Sequence, residues 1–99
     1  MQFIVTAHDF TDERAHQRRV VAREAHLSLM EQMIKAGNVR FAVALLDDRE
    51  RMVGSVLICE FGSRSEIDAW FQREPYITQK VWDKIDIQQC KIGPAFVKG

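Results

Sequence analysis

Two apolar segments in the middle of the chain place the strongest limit on its fold. Residues 41–46 and 53–59 are apolar at nearly every position, and a charged turn at residues 47–50 separates them. Strands of this composition are buried on both faces. We therefore predict a hairpin of two strands, at residues 39–46 and 52–61, that needs a cover on each side. Gly54 inside the second strand indicates a bulge or a close approach of another backbone.

The remaining elements follow from periodicity and from helix-boundary residues. Ser63 and Glu66 form a capping box at the start of a short helix, and Pro75 ends that helix. Gly37 ends a longer helix that begins around residue 11 or 12 and runs to residue 36. Further segments complete the prediction: a strand at residues 2–7, a helical turn within 76–82 and a strand at 85–92.

The element order is therefore β-α-β-β-α-β, which is typical of an α+β, ferredoxin-like fold. Two helices would cover one face of a four-stranded antiparallel sheet and leave the other face open. A chain of 99 residues predicts a single domain over residues 1–99. A second copy of the chain is the simplest cover for the open face, so we predict a homodimer, with a higher oligomer left open.

Composition argues against several classes of function. Lys and Arg total 14 and so do Asp and Glu, so the formal net charge is zero and no nucleic-acid partner is indicated. The opening residues lack the pattern of a signal peptide, and no segment approaches the roughly 20 apolar residues that cross a bilayer. We therefore expect a cytoplasmic protein with no membrane partner. Neither the two cysteines nor the three histidines have the spacing of a metal site, so we expect no metal and no cofactor.

The long helix carries one residue that its apolar side does not explain. On a helical projection, His26 lies near the middle of a side formed by Leu29, Met33, Met30, Ile34, Leu27 and Val20. An ionisable ring that faces a core must find a partner or lose its charge. Arg23 and Arg19 lie close to His26 on the same helix, and a guanidinium beside a histidine suits a carboxylate or enolate substrate. The simpler interpretations are a core histidine bonded to a backbone carbonyl and two surface arginines.

Glu74 is the best candidate for a group that converges on His26. It ends the second helix, and Pro75 makes the following turn rigid. A carboxylate that contacts an imidazole fixes its tautomer and suits it to acid–base chemistry near neutrality. Tyr76 could supply a hydroxyl group to the same pocket. A solvated Glu74 and a simply packed Tyr76 remain the alternatives at this point.

These residues resemble the YciI-like (YCII-related) domain family. The similarity covers nearly the whole chain and depends on the order of its marks: Arg23-x-x-His26-Leu27, Gly37, Gly54-Ser55, Glu60-Phe61 and Glu74-Pro75-Tyr76. The resemblance implies a ferredoxin-like fold in the dimeric α+β barrel superfamily, with subunits that pack through their sheets. It also implies a histidine–carboxylate dyad, here His26 and Glu74, and relatives that act on chlorinated aromatic intermediates. The family typically has Asp where this chain has Glu74, and Gly-Pro where it has Val43-Ala44.

Three functions remain open on these grounds. The first is a small cofactor-independent lyase or isomerase. In this enzyme His26 moves a proton, Glu74 orients the His26 ring, and Arg23 holds a small anionic or aromatic substrate. The second is a non-catalytic small-molecule binder or accessory dimer that uses the same pocket. The third is a structural dimer with no pocket. A cavity beside His26 would count against the third.

Overall fold

A computed structural model describes residues 1–97 of the chain. In order, it contains β1 (Gln2–Asp9), α1 (Ala15–Lys35), β2 (Val39–Leu46), β3 (Met52–Glu60), α2 (Arg64–Phe71), α3 (Pro75–Thr78), β4 (Trp82–Cys90) and a 3₁₀ turn (Pro94–Phe96). The four strands form one antiparallel sheet in the order β2-β3-β1-β4. The predicted α+β, ferredoxin-like architecture is confirmed. Along residues 1–97, no helix combines the length and apolar composition that crossing a bilayer requires.

The central strand β1 shows how the sheet divides the molecule. Phe3, Val5 and Ala7 are buried on one face, while the residues between them are only partly buried. The buried residues belong to one core with side chains of α1 and α2, including Leu29 and Ile67. Successive residues of a strand point to opposite faces. The helices therefore cover the face of the sheet that carries Phe3, Val5 and Ala7.

Helix α1 begins later than predicted and buries a different stripe. It starts at Ala15, because Asp12 caps the preceding turn: its carboxylate accepts the Arg14 N–H, and its backbone carbonyl accepts the Ala15 N–H. The apolar side predicted from the projection is partly wrong. The exposed members are Val20, Leu27 and Ile34, and the buried stripe instead includes Arg19 and Ala22 beside His26. Arg19 takes a buried position because it has buried polar partners.

Two glycines explain sharp local features. Gly37 has φ +82°, a backbone conformation that side chains disfavour, and it ends α1 as predicted. A Cβ atom at Gly54 would lie 2.5 Å from the carbonyl oxygen of Ala7. The close backbone approach predicted at Gly54 is therefore present between β3 and β1.

The face of the sheet away from the helices remains apolar along β2 and β3. Phe41 and Val43 are each more than half exposed there, and the β3 residues paired with them are Ile58 and Val56. On β4 the same face carries polar residues such as Asp86. The described chain leaves this apolar half of the face uncovered.

Candidate active site

Glu74 is a fully buried carboxylate whose position depends on two helices. It precedes α3 as its N-cap, and Oε2 accepts the backbone N–H of Tyr76 at 3.0 Å. Oε1 accepts the indole N–H of Trp70, one helical turn earlier, at 3.1 Å. A buried charge needs hydrogen-bond donors, and these two contacts place the carboxylate at the junction of α2 and α3 with both oxygens occupied.

His26 supplies the third contact to this carboxylate. Its Nδ1 atom lies 2.7 Å from Oε2 of Glu74, and both side chains are buried. A carboxylate accepts hydrogen bonds, and this one already accepts the N–H groups of Trp70 and Tyr76, so we assign the Nδ1–H group of His26 as the donor to Oε2. This is the only hydrogen bond that the described residues make with the ring. The second nitrogen, Nε2, therefore remains available to a ligand.

Aromatic rings hold the imidazole plane in place. The rings of His26 and Tyr76 are stacked with centroids 3.8 Å apart and planes 12° apart. The Trp82 ring meets both rings edge-on, at 6.0 Å from His26 and 5.6 Å from Tyr76. Burial raises the pKa of the Tyr76 phenol, an effect that the nearby Arg19 and Arg23 guanidinium groups oppose. Tyr76 is therefore a neutral hydroxyl donor at physiological pH.

A cavity of about 240 Å³ opens beside these rings, between α1 and the β2–β3 hairpin. His26 and Tyr76 line it together with Arg23 and the apolar side chain of Leu57. Short side chains at Ala42 and Ala44 on β2 form the opposite wall. Because these residues are small, the edge strand leaves room for a ligand of about one aromatic ring.

The two arginines predicted for substrate binding differ in their surroundings. Arg23 lies on the exposed side of α1 at the cavity and forms no ion pair within residues 1–97. Arg19 also lines the cavity, but it is buried and bonds to Asp9 through Nε (2.6 Å) and Nη2 (3.0 Å). The same guanidinium donates to the carbonyl oxygen of Gly54 and to the Ser55 hydroxyl. Arg23 is therefore the arginine whose charge can meet a ligand.

The structure thus brings together His26, Glu74, Tyr76, Arg23 and Arg19, and it adds residues that sequence reasoning missed. Trp70 lies four residues before Glu74, and this spacing in the helix predicted to end at Pro75 could have indicated the contact. In the structure α2 already ends at Phe71, but the Glu74 N–H still donates to the Trp70 carbonyl oxygen and keeps the two residues adjacent. Asp9 lies at the end of the first strand and Ser55 belongs to one of the family marks, but neither pattern indicated a contact with Arg19, because these contacts join distant parts of the chain. Trp82 donates its indole N–H to Ser55 Oγ at 3.2 Å. His8 and His16 are exposed, and no metal-binding cluster of His, Cys, Asp or Glu occurs within residues 1–97.

His26 and Glu74, the two residues that the family resemblance pairs, are in contact. Whether the chain belongs to that family is decided by the family's sequence profile. The profile described as the YCII-related domain matches residues 1–91. The chain belongs to the YCII-related domain family. No curated protein sequence matches this YCII-related domain significantly.

Solved structures share the fold of this YCII-related domain. The 5-chloro-2-hydroxyhydroquinone dehydrochlorinase of Burkholderia phenoliruptrix, in complex with 2,5-dihydroxybenzoquinone, is similar at a TM-score of 0.81 and 22% identity, covering 96% of this chain and 98% of that one. An antibiotic biosynthesis monooxygenase has a TM-score of 0.54 and 14% identity, covering 95% and 100%. A dimeric ferredoxin-like protein from Jannaschia has a TM-score of 0.50 and 11% identity, covering 92% and 98%. These likenesses show the fold.

Proposed function

We propose that this chain is a cofactor-independent enzyme of the lyase or isomerase type that acts on a small hydroxylated aromatic compound. The observation that carries the proposal is the His26–Glu74 pair, joined at 2.7 Å at the wall of a cavity of about 240 Å³. Nδ1 of the imidazole contacts a buried carboxylate, and Nε2 has no hydrogen-bond partner within residues 1–97. This arrangement suits a ring that exchanges a proton with a ligand.

Each lining residue has a task in such a reaction. Glu74 keeps the proton on Nδ1, so Nε2 of His26 takes a proton from the substrate. The substrate becomes an anion as it loses that proton, and the Arg23 guanidinium stabilises the developing charge. The Tyr76 phenol donates a hydrogen bond to an oxygen of the same anion. The apolar wall at Leu57 and Ala42 contacts the ring of the substrate.

Loss of hydrogen chloride is the specific reaction that we propose. One hydroxyl proton first moves to the ring carbon that bears chlorine, which makes this carbon tetrahedral and turns the hydroxyl into a ketone. Nε2 of His26 then takes a second hydroxyl proton, the freed electron pair forms a new C=O bond and the displaced ring pair forms a C=C bond to the chlorinated carbon, and the C–Cl electron pair leaves with chloride. The net change is loss of one proton and one chloride, so no oxidant or reductant is needed. The dehydrochlorinase that shares this fold supports the choice, because its bound 2,5-dihydroxybenzoquinone is a single-ring hydroxyquinone of the size that the cavity admits.

The test is chloride release from 5-chloro-2-hydroxyhydroquinone under anaerobic conditions. We expect release by the unmodified protein and a fall of about 10²–10⁴-fold in His26→Gln, the range for loss of an acid–base group. His16→Gln is the matched control, because His16 is an exposed histidine on the same helix. Release by the unmodified protein at the uncatalysed rate, or full activity in His26→Gln, would overturn the proposal.

We also propose that two copies of the chain pack through the apolar half of the open sheet face. Phe41 and Val43 are exposed on that face, and exposed apolar patches of this kind commonly mark protein interfaces. The Jannaschia protein with the same fold is described as dimeric, which supports the proposal. The test is the mass in solution of Val43→Lys, a variant that places a charge on this face and should be a monomer.

A further inference from the structure

Asp9 and Arg19 form a buried ion pair whose presence stability alone does not explain. Both side chains are more than nine-tenths buried, and the pair is joined by two hydrogen bonds of 2.6 and 3.0 Å. Removing two charges from water is costly, so a buried ion pair often contributes no net stability compared with apolar residues. A pair of this kind on the apolar side of α1 calls for another explanation.

The surroundings of Arg19 fix its guanidinium at one place. Besides Asp9, the group donates to the Gly54 carbonyl oxygen at 3.0 Å and to Ser55 Oγ at 3.1 Å. Ser55 Oγ in turn accepts the Trp82 indole N–H. The planar guanidinium therefore donates hydrogen bonds to β1 and to β3 at the same time. A lysine ammonium group could not reproduce this forked set of donors.

The guanidinium so fixed lies against the aromatic stack of the site. Its central carbon is 4.7 Å from the centroid of the Tyr76 ring, and a cation over an aromatic face is attracted to it. Tyr76 itself stacks on His26 at 3.8 Å. A continuous series of contacts thus runs from Asp9 through Arg19 and Tyr76 to the imidazole.

We propose that Asp9 is a positioning residue that acts through Arg19 and Tyr76 to hold the His26 ring at the wall of the cavity. Glu74 fixes one atom of the imidazole, but a single hydrogen bond leaves the ring free to rotate about that contact. The stacked Tyr76 ring removes this freedom, and the Asp9–Arg19 pair keeps Tyr76 in place. The inference rests on the proposed function only in treating His26 as the reacting group.

Nuclear magnetic resonance of the three histidines tests this without any substrate. Individual His→Gln variants assign the signals, and ¹⁵N spectra report which ring nitrogen carries the proton. In the unmodified protein, we expect a single Nδ1–H tautomer for His26 and ring protons shifted upfield by the stacked Tyr76. In Asp9→Asn, we expect at least half of that upfield shift to be lost and the Nε2–H tautomer to appear.

Asp12→Asn is the matched control, since Asp12 and Arg18 form a two-bonded ion pair on the exposed part of the same region. We expect this control to leave the His26 signals unchanged, and Asp9→Glu to restore part of the upfield shift. If Asp9→Asn lacks the circular dichroism of the folded protein, Arg19→Lys takes its place. This variant keeps the positive charge, loses the forked donors, and is judged by the same change in the His26 signals. His26 signals that match those of the unmodified protein in the folded variant would overturn the inference.

The outcome is separable from that of the proposed function. Absence of chloride release overturns the proposed enzyme and leaves the His26 spectra to be judged alone. Unchanged spectra in Asp9→Asn overturn the positioning role, whatever the unmodified protein does to a chlorinated substrate.

Discussion

The Nδ1 atom of His26 lies 2.7 Å from Oε2 of Glu74, a residue 48 positions later in the chain. The contact joins α1 to the junction of α2 and α3, and no other hydrogen bond from residues 1–97 reaches the imidazole ring. Glu74 is fully buried, and the other hydrogen bonds of its carboxylate come from the N–H groups of Trp70 and Tyr76. The pair therefore belongs both to the core and to the candidate site.

Glu74→Gln should destabilise the protein. The amide keeps the size of the side chain, but its NH₂ group cannot accept the hydrogen bonds that the carboxylate accepts. A buried donor left without a partner costs about 1–3 kcal/mol, so we expect the free energy of unfolding in urea to fall by about 2 kcal/mol. Glu24→Gln, at an exposed position on α1, should change it little. Equal unfolding midpoints for the two variants would contradict this account of Glu74.

Ionisation of Tyr76 should occur at unusually high pH. Tyr76 is the only tyrosine of the chain, so tyrosinate absorbance reports this residue alone. Burial raises its pKa above the usual 10.0. Because the folded pKa is the higher one, its contribution to stability is complete below the unfolded pKa and is lost as the pH rises through the folded pKa.

The control for this titration is Tyr76→Phe, which keeps the ring and removes the ionisation. The unmodified protein should lose stability with rising alkaline pH more steeply than this variant. A tyrosinate transition at or below the usual pH, in the folded protein, would show that the phenol is not shielded in the way described.

Ala44→Phe should block the cavity. Ala44 lines the wall on β2 and is exposed, so a larger side chain enters the cavity without overpacking the core. We expect the dissociation constant of 2,5-dihydroxybenzoquinone, measured by calorimetry, to rise at least tenfold, which corresponds to about 1.4 kcal/mol. Ala69→Phe, on the exposed side of α2, is the control and should bind as the unmodified protein does. Unaltered affinity in Ala44→Phe would place the ligand elsewhere.

Val43→Lys should abolish self-association. Val43 is 58% exposed on the open sheet face, and Val20 is 59% exposed on α1. A charge in the middle of an apolar interface would have to be desolvated on association. Sedimentation velocity should therefore give a dimer for the unmodified protein and for Val20→Lys, and a monomer for Val43→Lys. A monomeric unmodified protein, or a dimeric Val43→Lys, would refute the proposed interface.

Local sequence patterns predict the fold because the ends of most helices and strands are marked by particular residues nearby in the sequence. The β-α-β-β-α-β order followed from strand composition, from Gly37 and from Ser63 with Glu66, and the carboxylate of Glu66 accepts the Ser63 backbone N–H. The start of α1 was misplaced because Asp12 caps a turn before the helix. The single domain over residues 1–99 remains a prediction.

The site was only partly accessible to sequence reasoning. His26 and Glu74 were singled out by their positions and lie in contact, while their chemical roles remain proposals. The helical projection placed Arg19 close to His26, but it did not reveal which group would pair with the charge of Arg19. Its burial depends on Asp9, which lies where the pairing of β1 with β4 shifts register. Such a partner is set by the assembled sheet, and no local pattern in the sequence reveals it.

The most direct test of the central claim is a crystal structure of the protein with 2,5-dihydroxybenzoquinone. We expect the ring of the ligand between α1 and β2, with one of its oxygens within hydrogen-bond distance of His26 Nε2 and Glu74 still bonded to Nδ1. A ligand bound away from His26, or a His26 ring whose Nε2 atom is bonded to the protein main chain in the complex, would contradict the account.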